Sequence, residues 1–228
     1  MSMPSITARL ARAALAAVGA TLLAGCAGLA ALGAVTAPVD LYLLTPKSTY
    51  DPDLPQVTAQ IVVGEPTAAS SVNTDRIAVK PNAYQLQYFP DARWVDRAPL
   101  MVQSRLVESF ENTGRVTSVG RQAIGLNADF SLISELREFQ AEMGADPDAP
   151  LTVQVRLNIK IVKEPQGVIF ASESFASQAE TVSDDLGDVV AAFDEALGRT
   201  MKEAVQWTVR QIAEFTDRRG PGVSAAGF

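Results

Sequence analysis

The chain has 228 residues, 47% hydrophobic and 20% charged, a globular composition with room for one ordinary domain. Its 19 basic and 26 acidic residues give a formal charge of −7, and a body this acidic is a poor ligand for nucleic-acid phosphates. One cysteine cannot form an internal disulfide, and the lack of histidine removes the commonest general base and the usual zinc sites.

Residues 1–25 have the layout of an export signal. Arg9 and Arg12 close a short basic start, and an apolar run from Ala13 to Leu23 follows. That run is too short to span a bilayer, which needs about 20 residues. It ends in Leu23-Ala24-Gly25-Cys26, the pattern of a bacterial lipobox. Small residues at 24 and 25 let an extended backbone enter a peptidase site. The Cys26 thiolate would take a diacylglyceryl group, and cleavage before it would free an amine for a further acyl chain. Two or three chains anchor stably where one does so only marginally. No other cofactor is expected. Ala27 stands where an aspartate would favour inner-membrane retention, so the expected place is the outer membrane, facing the periplasm. Without residues 1–25 the chain keeps 17 basic and 26 acidic residues, a charge of −9, so a basic patch is not what attaches it. Residues 26–40 are expected to form a lipidated tether spanning about 20 Å as a coil.

The domain is expected over 41–217. Short strands are predicted at Leu41–Leu44, Val57–Val63, Arg76–Lys80 and Tyr84–Tyr88, with Pro90 ending the last. A helix is predicted from Ala98 to Asn112, with Pro99 in its first turn, Thr113-Gly114 closing it, and Leu100, Leu106, Val107 and Phe110 facing the core. A short strand follows over 116–119. Three long strands come next, at 128–140, 151–161 and 168–178, as an antiparallel meander. The middle one alternates strictly, with Leu151, Val153, Val155, Leu157, Ile159 and Ile161 on one face. An apolar stripe from Val190 to Phe215 predicts a long final helix over 185–215, with Asp184, Asp185 and Asp188 at its N-terminus. Residues 218–228 are expected to be a disordered tail. The fold class is α+β: a mostly antiparallel sheet with two helices packed on one face, the longer helix C-terminal.

A catalytic set is not evident. Asp146/Asp148 and Asp184/Asp185/Asp188 are read as a solvated loop and a helix start, with a weak cation site as the alternative. Glu135 and Glu138 differ by an odd number and should fall on opposite strand faces, unable to pair without a bulge. Trp94 either anchors the first helix to the sheet or contacts a partner. Trp207 lies off the helical stripe and is either an interface anchor or packed on a loop. Ile133 and Phe139 fall on the polar face of their strand, and exposed there they would form a partner-binding patch.

Several segments together carry a family resemblance. They are the lipobox, then Leu41-Tyr42-Leu43-Leu44-Thr45-Pro46, then Asp75-Arg76-Ile77-Ala78-Val79, then Tyr88-Phe89-Pro90-Asp91-Ala92-Arg93-Trp94, and then Leu100 to Leu106. In this order and spacing the chain resembles auxiliary lipoproteins of ABC-type lipid transport systems, of the paraquat-inducible protein C type. Tyr42, Leu44, Pro46, Asp75, Arg76 and Trp94 are the matching motif positions. The resemblance implies a non-enzymatic component at the outer membrane. Its partner would be a mammalian-cell-entry domain protein, anchored in the inner membrane and reaching across the periplasm as a lipid conduit. A homo-oligomer is compatible with that role. Other readings stay open: an assembly lipoprotein for a secretin or a cell-wall synthase, a periplasmic hydrolase using carboxylates or serine, and a lipid shuttle.

Overall fold

The computed structural model describes residues 39–121, 128–144, 146 and 149–219. The signal segment, the lipobox with Cys26, the tether up to Pro38, Asp148 and the tail beyond Arg219 lie outside the described residues.

The order is β1 (Asp40–Tyr42), β2 (Val57–Val63), β3 (Thr67–Ala68), β4 (Arg76–Asn82), β5 (Gln85–Trp94), α1 (Ala98–Thr113), β6 (Val116–Arg121), β7 (Phe130–Glu142), β8 (Thr152–Lys163), β9 (Val168–Glu180) and α2 (Leu186–Arg219). Among the described residues the fold is α+β, one mostly antiparallel mixed sheet of nine strands with two helices, the longer C-terminal. The long ladders β7–β8 and β8–β9 are antiparallel, as the alternating pattern demands, and Leu151 to Ile161 bury their odd positions as expected. The other edge of β7 takes β2, β3 and β4 in succession, all parallel. β6 extends the sheet beyond β2, and β5 and β1 extend it beyond β4. Parallel pairs need long crossovers, which the intervening segments and α1 supply.

Both helices lie over the face that buries Ile61, Val63, Leu132, Leu136, Val155, Leu157 and Ile159. α1 keeps Pro99 in its first turn and ends at Gly114, whose φ of 59° suits a left-handed cap and whose N–H bonds the Glu111 carbonyl. Its buried face is centred on Met101, Val102, Leu106 and Phe110, while Leu100 and Val107 are only half-buried. α2 carries the expected stripe and also buries Val189, Ala196, Val205 and Val209, because it is covered by the sheet on one side and α1 on another. It runs through Arg219, two residues into the stretch expected to be tail.

β3 forms where no strand is predicted, and two predicted strands depart from the sequence expectation through a bulge. β5 does not stop at Pro90 but continues to Trp94. The register slips between Ala78↔Tyr88 and Arg76↔Arg93, so Phe89–Ala92 bow out of the ladder. A bulge needs no N–H from Pro90, and Asp91 takes a left-handed φ of 52°, a region aspartate tolerates. β7 slips between Leu136 and Glu138. One extra residue reverses the alternation, so Phe139 and Ala141 join Phe130, Leu132 and Leu136 inside. Phe139 is therefore 2% exposed, correcting the surface patch expected of it, while Ile133 before the bulge is 53% exposed as that expectation requires. Glu135 and Glu138 consequently share the outer face rather than lying on opposite ones. Each bonds its own arginine, Arg137 and Arg156, at 2.9 Å.

Candidate interaction surface

The motif positions divide between the inside and the outside of the sheet. Leu44 is fully buried, and Tyr42, half-buried, packs on the core. Trp94 is 1% exposed and meets Phe139 and Phe193 at centroid distances of 5.6 and 5.1 Å. The sequence offered Trp94 as a helix anchor or a partner contact. Burial removes it from the surface and makes it the centre of an aromatic cluster beneath α2. Trp207 is half-buried with its ring edge-on to Phe175 at 5.5 Å, so it packs on β9. Of the four candidate partner contacts, Ile133 alone is largely exposed.

Beyond β1 the chain becomes a strap across both helices. The Thr45 N–H and hydroxyl donate to the Asp194 carboxylate at 2.6 and 2.8 Å. Half-buried Pro46 follows. The Ser109 hydroxyl of α1 donates to the Met201 sulfur of α2 at 3.7 Å and accepts the Lys47 N–H at 2.9 Å. The Tyr50 hydroxyl donates to the Ser109 carbonyl at 2.8 Å, and burial pushes this phenol up to about 12, opposed in part by the Ser109 side chain. Asp51 receives Lys202 at 3.1 Å, Gln206 at 2.9 Å and Arg210 at 3.4 Å. The Lys202 hydrogen bond does most to hold the Asp51 carboxyl below its usual range. Asp51, Ser109 and Asp194 were invisible as a set in the sequence, since they lie far apart along the chain and no local pattern marks them.

The outward-facing motif residues gather at the β5 bulge. Arg93 donates from Nη1 to both Asp75 oxygens at 3.1 Å. The Arg76 guanidinium lies 3.8 Å over the Tyr88 ring, a cation–π contact. Val39, Arg76, Phe89, Pro90, Asp91, Ala92 and Arg93 enclose a cleft of about 240 Å³. Asp91 escaped the sequence reading, although Pro-Asp inside a strand pattern is a bulge signal. Next to the cleft, Val39, Leu41, Leu43 and Val95 expose between 41% and 64% of their surface.

Across the β4–β7 pair, Lys80 bonds Glu142 at 2.7 Å. Burial alone would raise that carboxyl, but the Lys80 and Gln140 bonds outweigh it and hold it low. The acids at the start of α2 are knitted into a helix start. The Ser183 hydroxyl donates to Asp188 at 2.6 Å and accepts the Asp185 N–H. Among the described residues no group of three or more acids, histidines or cysteines is arranged to hold a metal, and no helix is long and apolar enough to cross a membrane.

Residues 42–205 match the family of ABC-type transport auxiliary lipoprotein components, from Tyr42 in β1 to Val205 within α2. The chain belongs to this family. Protein XCC0632 from Xanthomonas campestris, a solved member of family DUF330, superposes with a TM-score of 0.73 at 28% identity over 78% of this chain and 98% of its own. A second solved structure, of an uncharacterized protein, shares the fold alone, with a TM-score of 0.51 at 13% identity over 75% of this chain and 99% of its own. An uncharacterized protein of Bradyrhizobium diazoefficiens is 30% identical over 191 residues, 84% of this chain. The chain spans about half the length of that relative. The part matching the auxiliary lipoprotein family takes in the aromatic cluster, the strap except its Gln206 and Arg210 contacts, and the bulge cleft except Val39.

Proposed function

We propose that the chain is a lipid-anchored, non-catalytic auxiliary subunit of an ABC-type lipid transporter. It is held at the periplasmic face of the outer membrane through acylated Cys26, where it docks the far end of a mammalian-cell-entry domain conduit. The observation that carries this reading is membership of the auxiliary lipoprotein family across residues 42–205. Two further features support it. Leu23-Ala24-Gly25-Cys26 supplies the means of anchoring. The strap ties the chain beyond β1 to both helices and leaves a largely open outer sheet face, which suits docking better than it suits turnover.

The test is a pull-down from detergent-solubilised membranes with tagged wild type beside Cys26→Ala. A mammalian-cell-entry domain protein should co-purify with the wild type, and the variant should be absent from the outer-membrane fraction. Recovery of a secretin or a cell-wall synthase in its place would replace this reading with one of an assembly lipoprotein.

A further inference from the structure

We propose that the cleft at the Pro90–Asp91 bulge binds the headgroup of a zwitterionic phospholipid, with the acyl chains laid along the exposed strip of β1. The argument begins with the charges. Arg76 has no carboxylate partner among the described residues, and the Tyr88 ring fixes its guanidinium. Tyr88 is itself held by its hydroxyl, which donates to the Ser71 carbonyl at 3.1 Å. Arg93 spends Nη1 on Asp75 and retains further donors. Asp91 lines the same cleft with no cation bonded to it among the described residues. The cleft thus offers one uncompensated cation and one uncompensated anion. A phosphate matches the guanidinium through charge-assisted hydrogen bonds, and an ammonium matches the carboxylate. Phosphoethanolamine carries both at short separation. A net-anionic headgroup would satisfy Arg76 and leave Asp91 repelling it, on a body already carrying a charge of −9.

Size and surroundings select a lipid over a free zwitterion. At about 240 Å³ the cleft is smaller than the roughly 300–1,000 Å³ of pockets that enclose a whole drug-sized ligand, so it takes a headgroup and leaves the chains outside. Val39 forms part of its wall. Alternation puts Leu41 of the edge strand and its flanking residues Val39 and Leu43 on one side, and Leu41 is registered beside Arg93. Exposures of 41%, 64% and 55% make these three an apolar strip that starts at the cleft wall and passes Arg93. β1 is also the first described element after Cys26, so the track begins the described part of the domain nearest in sequence to the anchor.

The proposal does not depend on which protein the domain docks, and its test uses no partner. Lipidated protein in amphipol is titrated by calorimetry with water-soluble dihexanoyl-phosphatidylethanolamine, with dihexanoyl-phosphatidylglycerol and with inorganic phosphate. Saturable binding of the ethanolamine lipid is expected, about tenfold tighter than inorganic phosphate. Arg76→Gln should weaken both lipids by about fivefold or more. Asp91→Asn keeps the left-handed backbone, since asparagine adopts it as readily, and should weaken the ethanolamine lipid alone. Melting temperatures close to wild type confirm that both variants fold. Failure of the wild type to saturate, or indifference of binding to Arg76→Gln, overturns the site. Glycerol lipid bound as tightly as ethanolamine lipid overturns the zwitterion, and phosphate bound as tightly as either reduces the cleft to an anion site.

Discussion

The two faces of the sheet use the same family motifs for opposite purposes. On the helix side, the motif residues Leu44 and Trp94 are buried and meet other apolar groups, Phe139 among them. On the outer side, exposed Arg76, Asp91 and Arg93 line a cleft, with half-buried Asp75 bonded to Arg93. Neighbours in sequence, such as Arg93 and Trp94, part company because successive strand residues point to opposite faces. A motif read as a unit is therefore two sets interleaved, one packed into the core and one lining the cleft proposed to bind. Substitutions on the two faces should separate these roles.

The largest effects belong to the inner face. Trp94→Ala opens a cavity between Phe139 and Phe193 and should cost about 3–5 kcal/mol of unfolding free energy in urea titration. Phe139→Ala should cost a similar amount, whereas Ile133→Ala, six residues earlier on the same strand, should stay within about 0.5 kcal/mol. Equal effects at the two positions would show that the β7 bulge is not populated in solution.

A smaller effect is expected in the strap. Thr45→Val removes the hydroxyl bond to Asp194 at a solvent-exposed position, and a loss of about 1 kcal/mol should appear in the same titration. The acid response of the strap has a definite sign. The Asp51 carboxyl is held below its ordinary 3.8 in the folded chain, so its contribution is present above that value and disappears as pH falls through the lower folded one. The melting temperature should drop from about pH 5 to about pH 3, and less steeply in Asp51→Asn. Tyr50 acts at the other extreme. Its phenol, raised to about 12, adds stability that is full below 10 and is lost as pH rises through the folded value. Phenolate absorbance should show one late-titrating tyrosine that Tyr50→Phe abolishes.

Much of the fold could be read from the chain because it rests on local periodicity. The alternation of 151–161 and the stripe of α2 each announce an element, its buried face and its length. Gly114 and Pro99 marked the ends of α1 for local reasons as well. Periodicity fails wherever one residue is inserted. The slip after Leu136 reversed the faces of Phe139 and Glu138, and the bow at Phe89–Ala92 hid the continuation of β5. The parallel pairing of β2, β3 and β4 on β7 joins segments far apart in sequence, which no local pattern encodes. The candidate site was half legible. Asp75, Arg76 and Trp94 stood out as motif positions, but which of them face solvent depended on the bulge. Thr45 and Asp194 meet across 149 residues, and only the folded chain reveals the pair.

The division of roles between the two faces is tested most directly by the urea unfolding midpoint of the double variant Arg76→Gln/Asp91→Asn. If the outer cleft is a binding surface laid on an independently stable body, the midpoint should correspond to wild type within about 0.5 kcal/mol. A loss of about 2 kcal/mol or more would make these residues part of what holds the fold together, and the separation of faces would be wrong.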